Sequence, residues 1–170
     1  MAQKRAGEGH MLSAAAVRDG CVILFQIACP LRRTSFESLR LGQNLLRDEL
    51  GYRVALGAQQ MKTRQAFEAP LPTWLTPHLD FYFEVARRAL QARWLVGRGW
   101  LWPGAEGEHM TGKSISRRVR QLVTRHLGRA MSLHLFRDSA ATTVAVHDSA
   151  HIGIVGDLLG HTRHETSEKH

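Results

Sequence analysis

The sequence predicts a mainly helical α+β domain, and three observations carry that expectation. Apolar residues recur at helical spacing through the second half, first as Leu79, Tyr82, Phe83, Ala86 and Leu90, then as Ile115, Val119, Leu122, Val123 and Leu127. Ahead of them the period changes, because Tyr52, Val54 and Leu56 alternate as a half-buried strand does. A length of 170 residues with 44% hydrophobic composition suits one domain with a substantial core.

Residues 1–13 read as a tail or linker remnant, since glycines and charges dominate before Ala14, and the domain is expected to span 14–170. Arg18 to Ala28 reads as a buried helix ended by Pro30. Thr34 to Glu37 has the spacing of a capping box and opens a second, short helix. After Leu56, Gly57 punctuates; Gln60, Lys62 and Arg64 then alternate again before the stretch AFEAPLP, so a small antiparallel sheet is expected. Thr76 as N-cap with Pro77 at the first helical position starts the next helix. The glycine-rich stretch 97–112 reads as a loop anchored by Trp100 and Trp102. The helix after it is amphipathic and basic: Arg117, Arg118, Arg120 and Arg125 crowd the faces left by its apolar stripe, and Gly128 suits its C-cap. Leu158 and Leu159 close a last helix, with Gly160 at its end and His161 as the first side chain beyond.

Composition narrows the function. The longest apolar run, CVILFQIAC, is broken by Gln26 and far shorter than the ~20 residues a membrane span needs, and the N-terminus lacks the apolar core of a signal peptide. No membrane partner is expected, and a cytoplasmic location is. Cys21 and Cys29 have no CxxC partners, so neither a disulfide framework nor a zinc cluster is indicated. The formal charge is +8, and a polyanionic partner fits it.

The chemistry concentrates near the end of the chain. In HLFR, His134 and Arg137 are three apart, so on a helix they project from one side of its first turn, where the macrodipole also favours an anion. A phosphate fits such a place. A second histidine pair, His147 and His151, has the i, i+4 spacing of a zinc-protease helix, but Asp148 stands where that motif needs glutamate, and Ser149 with Gly153 favours a loop.

Taken together and in order, these stretches resemble the tyrosine recombinases of the phage integrase family from about Arg18 onward. RDGCVILFQIACPLRRTSFESLRLG is similar to the family's first conserved block, QMKTRQAFEAPLP to its β-hairpin block and WLWPG to the loop before the second box. LHLFRDSAAT is similar to its His-x-x-Arg box and LLGHTRHETSEKH to its Leu-Gly-His box. The resemblance implies a single catalytic domain with a small three-stranded antiparallel sheet. It places the catalytic set on Arg32, Lys62, His134, Arg137 and His161, with no metal and no other cofactor. Arg33, Arg64, Arg117, Arg118 and Arg120 are the arginines expected to meet DNA.

The implied partner is double-stranded DNA, on which family members assemble as multimers. The implied reaction is attack of a tyrosine on the scissile phosphate, giving a 3′-phosphotyrosyl link and a free 5′-hydroxyl. Two arginine forks would bind the nonbridging oxygens, Lys62 would protonate the leaving oxygen, and the histidines would assist. Arg137 is expected to be unpaired in the free protein and to leave stability unchanged when removed.

Several positions depart from the family pattern. Asp138 follows the second arginine where many members carry His, Pro30 replaces a common Gly, and Ser35 stands where an acid is usual. Counting on from His161 by the family's spacing reaches His170 or position 171, and neither is a tyrosine of this chain; Tyr52 and Tyr82 are its only ones. The expectation is a catalytic domain that stops at its nucleophile, without the family's N-terminal core-binding domain, and inactive as it stands. The alternative is a noncatalytic DNA-binding remnant or interference protein.

Overall fold

The computed structural model describes residues 2–92, 99–105 and 107–147, with side chains for 14–92, 99–105, 107–140 and 142–143. His151 and His161 lie outside the described residues, as does the expected helix end at Leu158–Gly160.

Helix α1 spans Ala2–Ala28, so helical backbone extends through the stretch read as a tail. Its buried positions, Ala14, Arg18, Asp19, Cys21, Val22, Phe25 and Gln26, fall at the three- and four-residue steps that keep one face inward. Pro30 ends it, and α2 follows at Arg33–Glu37 with Arg32 as N-cap. Thr34 is therefore inside that helix and is not its cap, and Arg32 makes no side-chain capping bond.

The sheet has three antiparallel strands in the order β1 (Leu45–Asp48), β2 (Gly51–Leu56), β3 (Phe67–Pro70). In β2 Tyr52, Val54 and Leu56 are buried, as their alternation predicts. The second alternation is not a strand. Ala58–Gln60 is a 3₁₀ turn, and Arg64 closes the next turn through its N–H to Met61 O (3.1 Å) with φ of 58°. Gln60, Lys62 and Arg64 have Gln59, Met61 and Thr63 on the opposite phase, so a strand there would offer the core Met61 alone, and local turn bonds win.

Thr76–Phe81 (α3), a π-helical stretch Tyr82–Arg87 and Arg88–Gln91 (α4) follow one another with right-handed helical junctions. Leu79, Tyr82, Ala86 and Leu90 are buried. Helix α5 spans Gly112–Leu127; its N-cap Thr111 accepts a bond from Ser114 N at 3.2 Å, and Gly128 closes it with φ of 69°. Its inward stripe ends at Val123, and Leu127, expected to continue it, is 70% exposed. Helix α6 spans Leu133–His147.

Trp102 is the centre of the core. Its ring stacks with Tyr82 at 5.7 Å and meets Phe36 at 5.0 Å and Phe25 at 5.8 Å, so the loop is plugged into the junction of α1, α2 and the π-helical stretch. Trp100 is held differently: Arg40 lies 3.7 Å over its ring, and Arg87 donates to its carbonyl through Nε (2.9 Å) and Nη2 (2.8 Å). Asp19, only 3% exposed, accepts from Arg18 through one oxygen (2.8 and 3.0 Å) and from Arg118 Nε through the other (2.9 Å). Arg18 also donates to Pro103 O at 2.9 Å, so this cluster ties α1 to α5 and to the loop. Cys21 and Cys29 are free, buried thiols, and burial pushes both up to about 12.

Candidate functional site

One open groove of about 850 Å³ gathers the chemistry-bearing residues of α2, α5, α6 and the turn after Gln60. Arg32 enters it because Pro30 stops α1 and the chain turns through buried Leu31, whose N–H bonds Cys29 O at 2.8 Å, before α2 begins. Arg33 comes with it on the first turn of α2. Lys62 is exposed on the turn that follows the 3₁₀ segment. Ser116 and Arg120, at i, i+4 on α5, form another wall. Glu37 sets the height of that wall by accepting from Gly112 N at the start of α5, an approach that needs glycine, since a Cβ there would lie 2.3 Å from Arg33 Cγ.

His134 and Arg137 reach the groove from the first turns of α6. His134 is highly exposed and its Nδ1 lies 3.5 Å from Asp138 Oδ1. Arg137 is buried, and its Nη1 donates to Pro30 O at 2.5 Å, across 107 residues of chain. This corrects the expectation that Arg137 is unpaired: the side chain is docked on the end of the segment that carries Arg32. Ser132, just before α6, accepts from Leu135 N at 3.4 Å as a helix cap does.

The electrostatics are one-sided. Arg32, Arg33, Lys62, Arg120 and Arg137 line the groove, and among the described residues no Asp or Glu does. Burial pulls the Arg137 guanidinium below its usual value, and the charge of Arg32 pulls it the same way, with Asp138 and Cys29 opposing. An arginine stays protonated under that pressure, so two like charges are held together in a partly desolvated place. A bound anion relieves both the burial and the repulsion.

Four of the five expected catalytic residues, Arg32, Lys62, His134 and Arg137, thus share one groove, and His161 lies outside the described residues. Of the expected DNA contacts, Arg33 and Arg120 line it. Arg64 and Arg117 are exposed elsewhere, and Arg118 is engaged with buried Asp19. Sequence reasoning missed the hydroxyls and amides among the cations: Thr34, Ser38, Gln59, Gln60, Ser116 and Ser132. Ser132 alone carried a readable signal, a capping residue ahead of an apolar helical run.

Neither tyrosine reaches the groove. Tyr82 is fully buried and donates to Leu101 O at 2.6 Å, and burial drives its hydroxyl far above the usual range. Tyr52 donates to Asp80 Oδ1 at 2.6 Å and is pushed up to about 12, first by burial and then by that carboxylate.

The architecture is mostly helical with a three-stranded antiparallel sheet, and its fold is that of a solved site-specific recombinase. The chain is similar to a solved XerH site-specific recombinase, bound to difH substrate in a pre-cleavage complex, with a TM-score of 0.69 and 15% sequence identity over 92% of this chain. It spans 45% of the length of that solved chain. No protein-family model matches the sequence, and no curated protein matches it. Among the described residues, no helix is long and apolar enough to cross a membrane.

Proposed function

We propose that this chain is the DNA-binding catalytic domain of a site-specific tyrosine recombinase, acting on double-stranded DNA in recombination and integration. The observation that carries the reading is the groove, without a carboxylate among its described lining residues, in which Arg137, docked on Pro30, is held against Arg32. Two planar forks there match the nonbridging oxygens of a phosphodiester, and their charge stabilises the pentavalent transition state. As the tyrosine hydroxyl releases its proton to solvent and its oxygen bonds to phosphorus, the P–O5′ bond breaks and the leaving oxygen needs a proton. Lys62 supplies it, being a cation that can release one where arginine cannot. His134 hydrogen-bonds the phosphate, and His161 completes the set. Arg33 and Arg120 hold flanking phosphates, and assembly is on DNA as a multimer.

A noncatalytic DNA-binding role is the second reading, favoured by the engagement of Tyr52 and Tyr82 away from the groove. Covalent trapping on nicked duplex suicide substrates separates the two. The 170-residue chain forms no adduct, and one with a tyrosine appended at position 171 and a following helical segment forms a phosphotyrosyl link that Lys62→Ala slows by about 10²-fold or more, the usual contribution of a general acid. An adduct from the unextended chain contradicts the account of its tyrosines. Equal trapping with and without Arg32 contradicts the arginine pair.

A further inference from the structure

Lys62 lies in a turn, so neither a helix nor a strand fixes its direction. What fixes it is Gln60, two residues earlier, which is held from both sides. Its side-chain Oε1 accepts from Asn44 Nδ2 at 3.0 Å and from the Gly57 N–H at 3.1 Å. Its main-chain carbonyl accepts from Ser35 Oγ at 2.9 Å. Asn44 is buried at the head of the sheet and fully engaged: Nδ2 also donates to Ala55 O (3.2 Å) and Oδ1 accepts from Arg40 N (3.2 Å). Ser35 is buried on α2, three residues after Arg32.

We infer that Gln60 is the positioning residue of the groove: clamped between Asn44 and Ser35, it registers the turn bearing Lys62 against α2 and Arg32. The inference rests on the reading of the groove as a phosphate site. Its physical content is pre-organisation. A lysine on an exposed turn must lose conformational freedom to meet a phosphate, and a turn already anchored on both sides lowers that loss. Both anchors join elements whose own positions are set by the core, so the register is transmitted from buried structure to an exposed charge.

Affinity for a short random-sequence duplex across a salt series tests this with Lys62→Ala, Ser35→Ala, Gln60→Ala and the two doubles that combine Lys62→Ala with each clamp variant. Lys62→Ala lowers the slope of log affinity on log salt by about 0.9, the value of one phosphate contact. Ser35→Ala and Gln60→Ala keep the lysine yet lose most of the same slope, and each double matches Lys62→Ala within about two-fold, since the pair acts as a unit. Ser35→Thr, which keeps the donor, restores the wild-type slope. Losses that simply add in the doubles, or a wild-type slope in both clamp variants, overturn the inference and leave the phosphate reading standing. A Lys62→Ala protein with unchanged affinity and slope removes the phosphate reading, and the clamp falls with it.

Discussion

Asp19→Ala lowers thermal stability by about 3 kcal/mol or more, a loss on the order of 10 °C in Tm for a chain of this size. Asp19 is 3% exposed, and its two oxygens serve two different arginines. Removing it leaves the Arg18 guanidinium, itself mostly buried, with the Pro103 carbonyl and no counter-charge. The penalty is that of an uncompensated buried cation, which exceeds the net worth of the intact pair. Arg118→Ala costs far less, because Asp19 keeps its Arg18 partner and water can take the place of a side chain that is 45% exposed. Thermal melts of the two variants check the ordering; equal losses would mean that the Arg118–Asp19 bond, and not the stranded charge of Arg18, sets the penalty.

Arg137→Ala weakens duplex DNA binding by roughly 10- to 100-fold, the range of one or two charge-assisted hydrogen bonds to phosphate. Its effect on stability is smaller than its burial implies, because two consequences oppose. The Pro30 carbonyl loses its 2.5 Å donor, which destabilises, while the repulsion between Arg137 and Arg32 disappears, which stabilises. Arg137→Lys recovers charge but not affinity, since an ammonium cannot hold Pro30 O and a phosphate in one planar fork. Titration calorimetry alongside thermal melts separates the effects. A variant that unfolds would make Arg137 a structural residue first.

Helices with a long apolar stripe were legible in the sequence: Leu79 through Leu90 and Ile115 through Val123 are where their spacing puts them, and Gly128 caps α5 as expected. Short elements were not. Strand β1 offers four residues with only Leu45 buried, too few to establish a period, and the alternation at Gln60–Arg64 had a single apolar residue, Met61, on its other side, too little to hold a strand. Arg32, Lys62, His134 and Arg137, which share the groove, were readable as site candidates because the order of their motifs resembles that of a known family. Their partners were not, since the Arg137–Pro30 and Arg118–Asp19 bonds join residues 107 and 99 positions apart, and no local pattern encodes such a pairing. The basic stripe of α5 therefore held arginines of different function, Arg120 facing the groove and Arg118 clamping the core, behind one uniform signal.

The salt dependence of duplex DNA binding tests the central claim most directly. Arg32, Arg33, Lys62, Arg120 and Arg137 share a groove that no carboxylate lines among the described residues, so up to five phosphate contacts give a log–log slope approaching about −4.5 and a loss of several hundred-fold between roughly 50 and 200 mM salt. Replacing both Arg32 and Arg137 by alanine lowers the magnitude of that slope by about 1.8. Affinity that is flat over the same range, or a slope untouched by the double substitution, would contradict a DNA site built on the arginine pair.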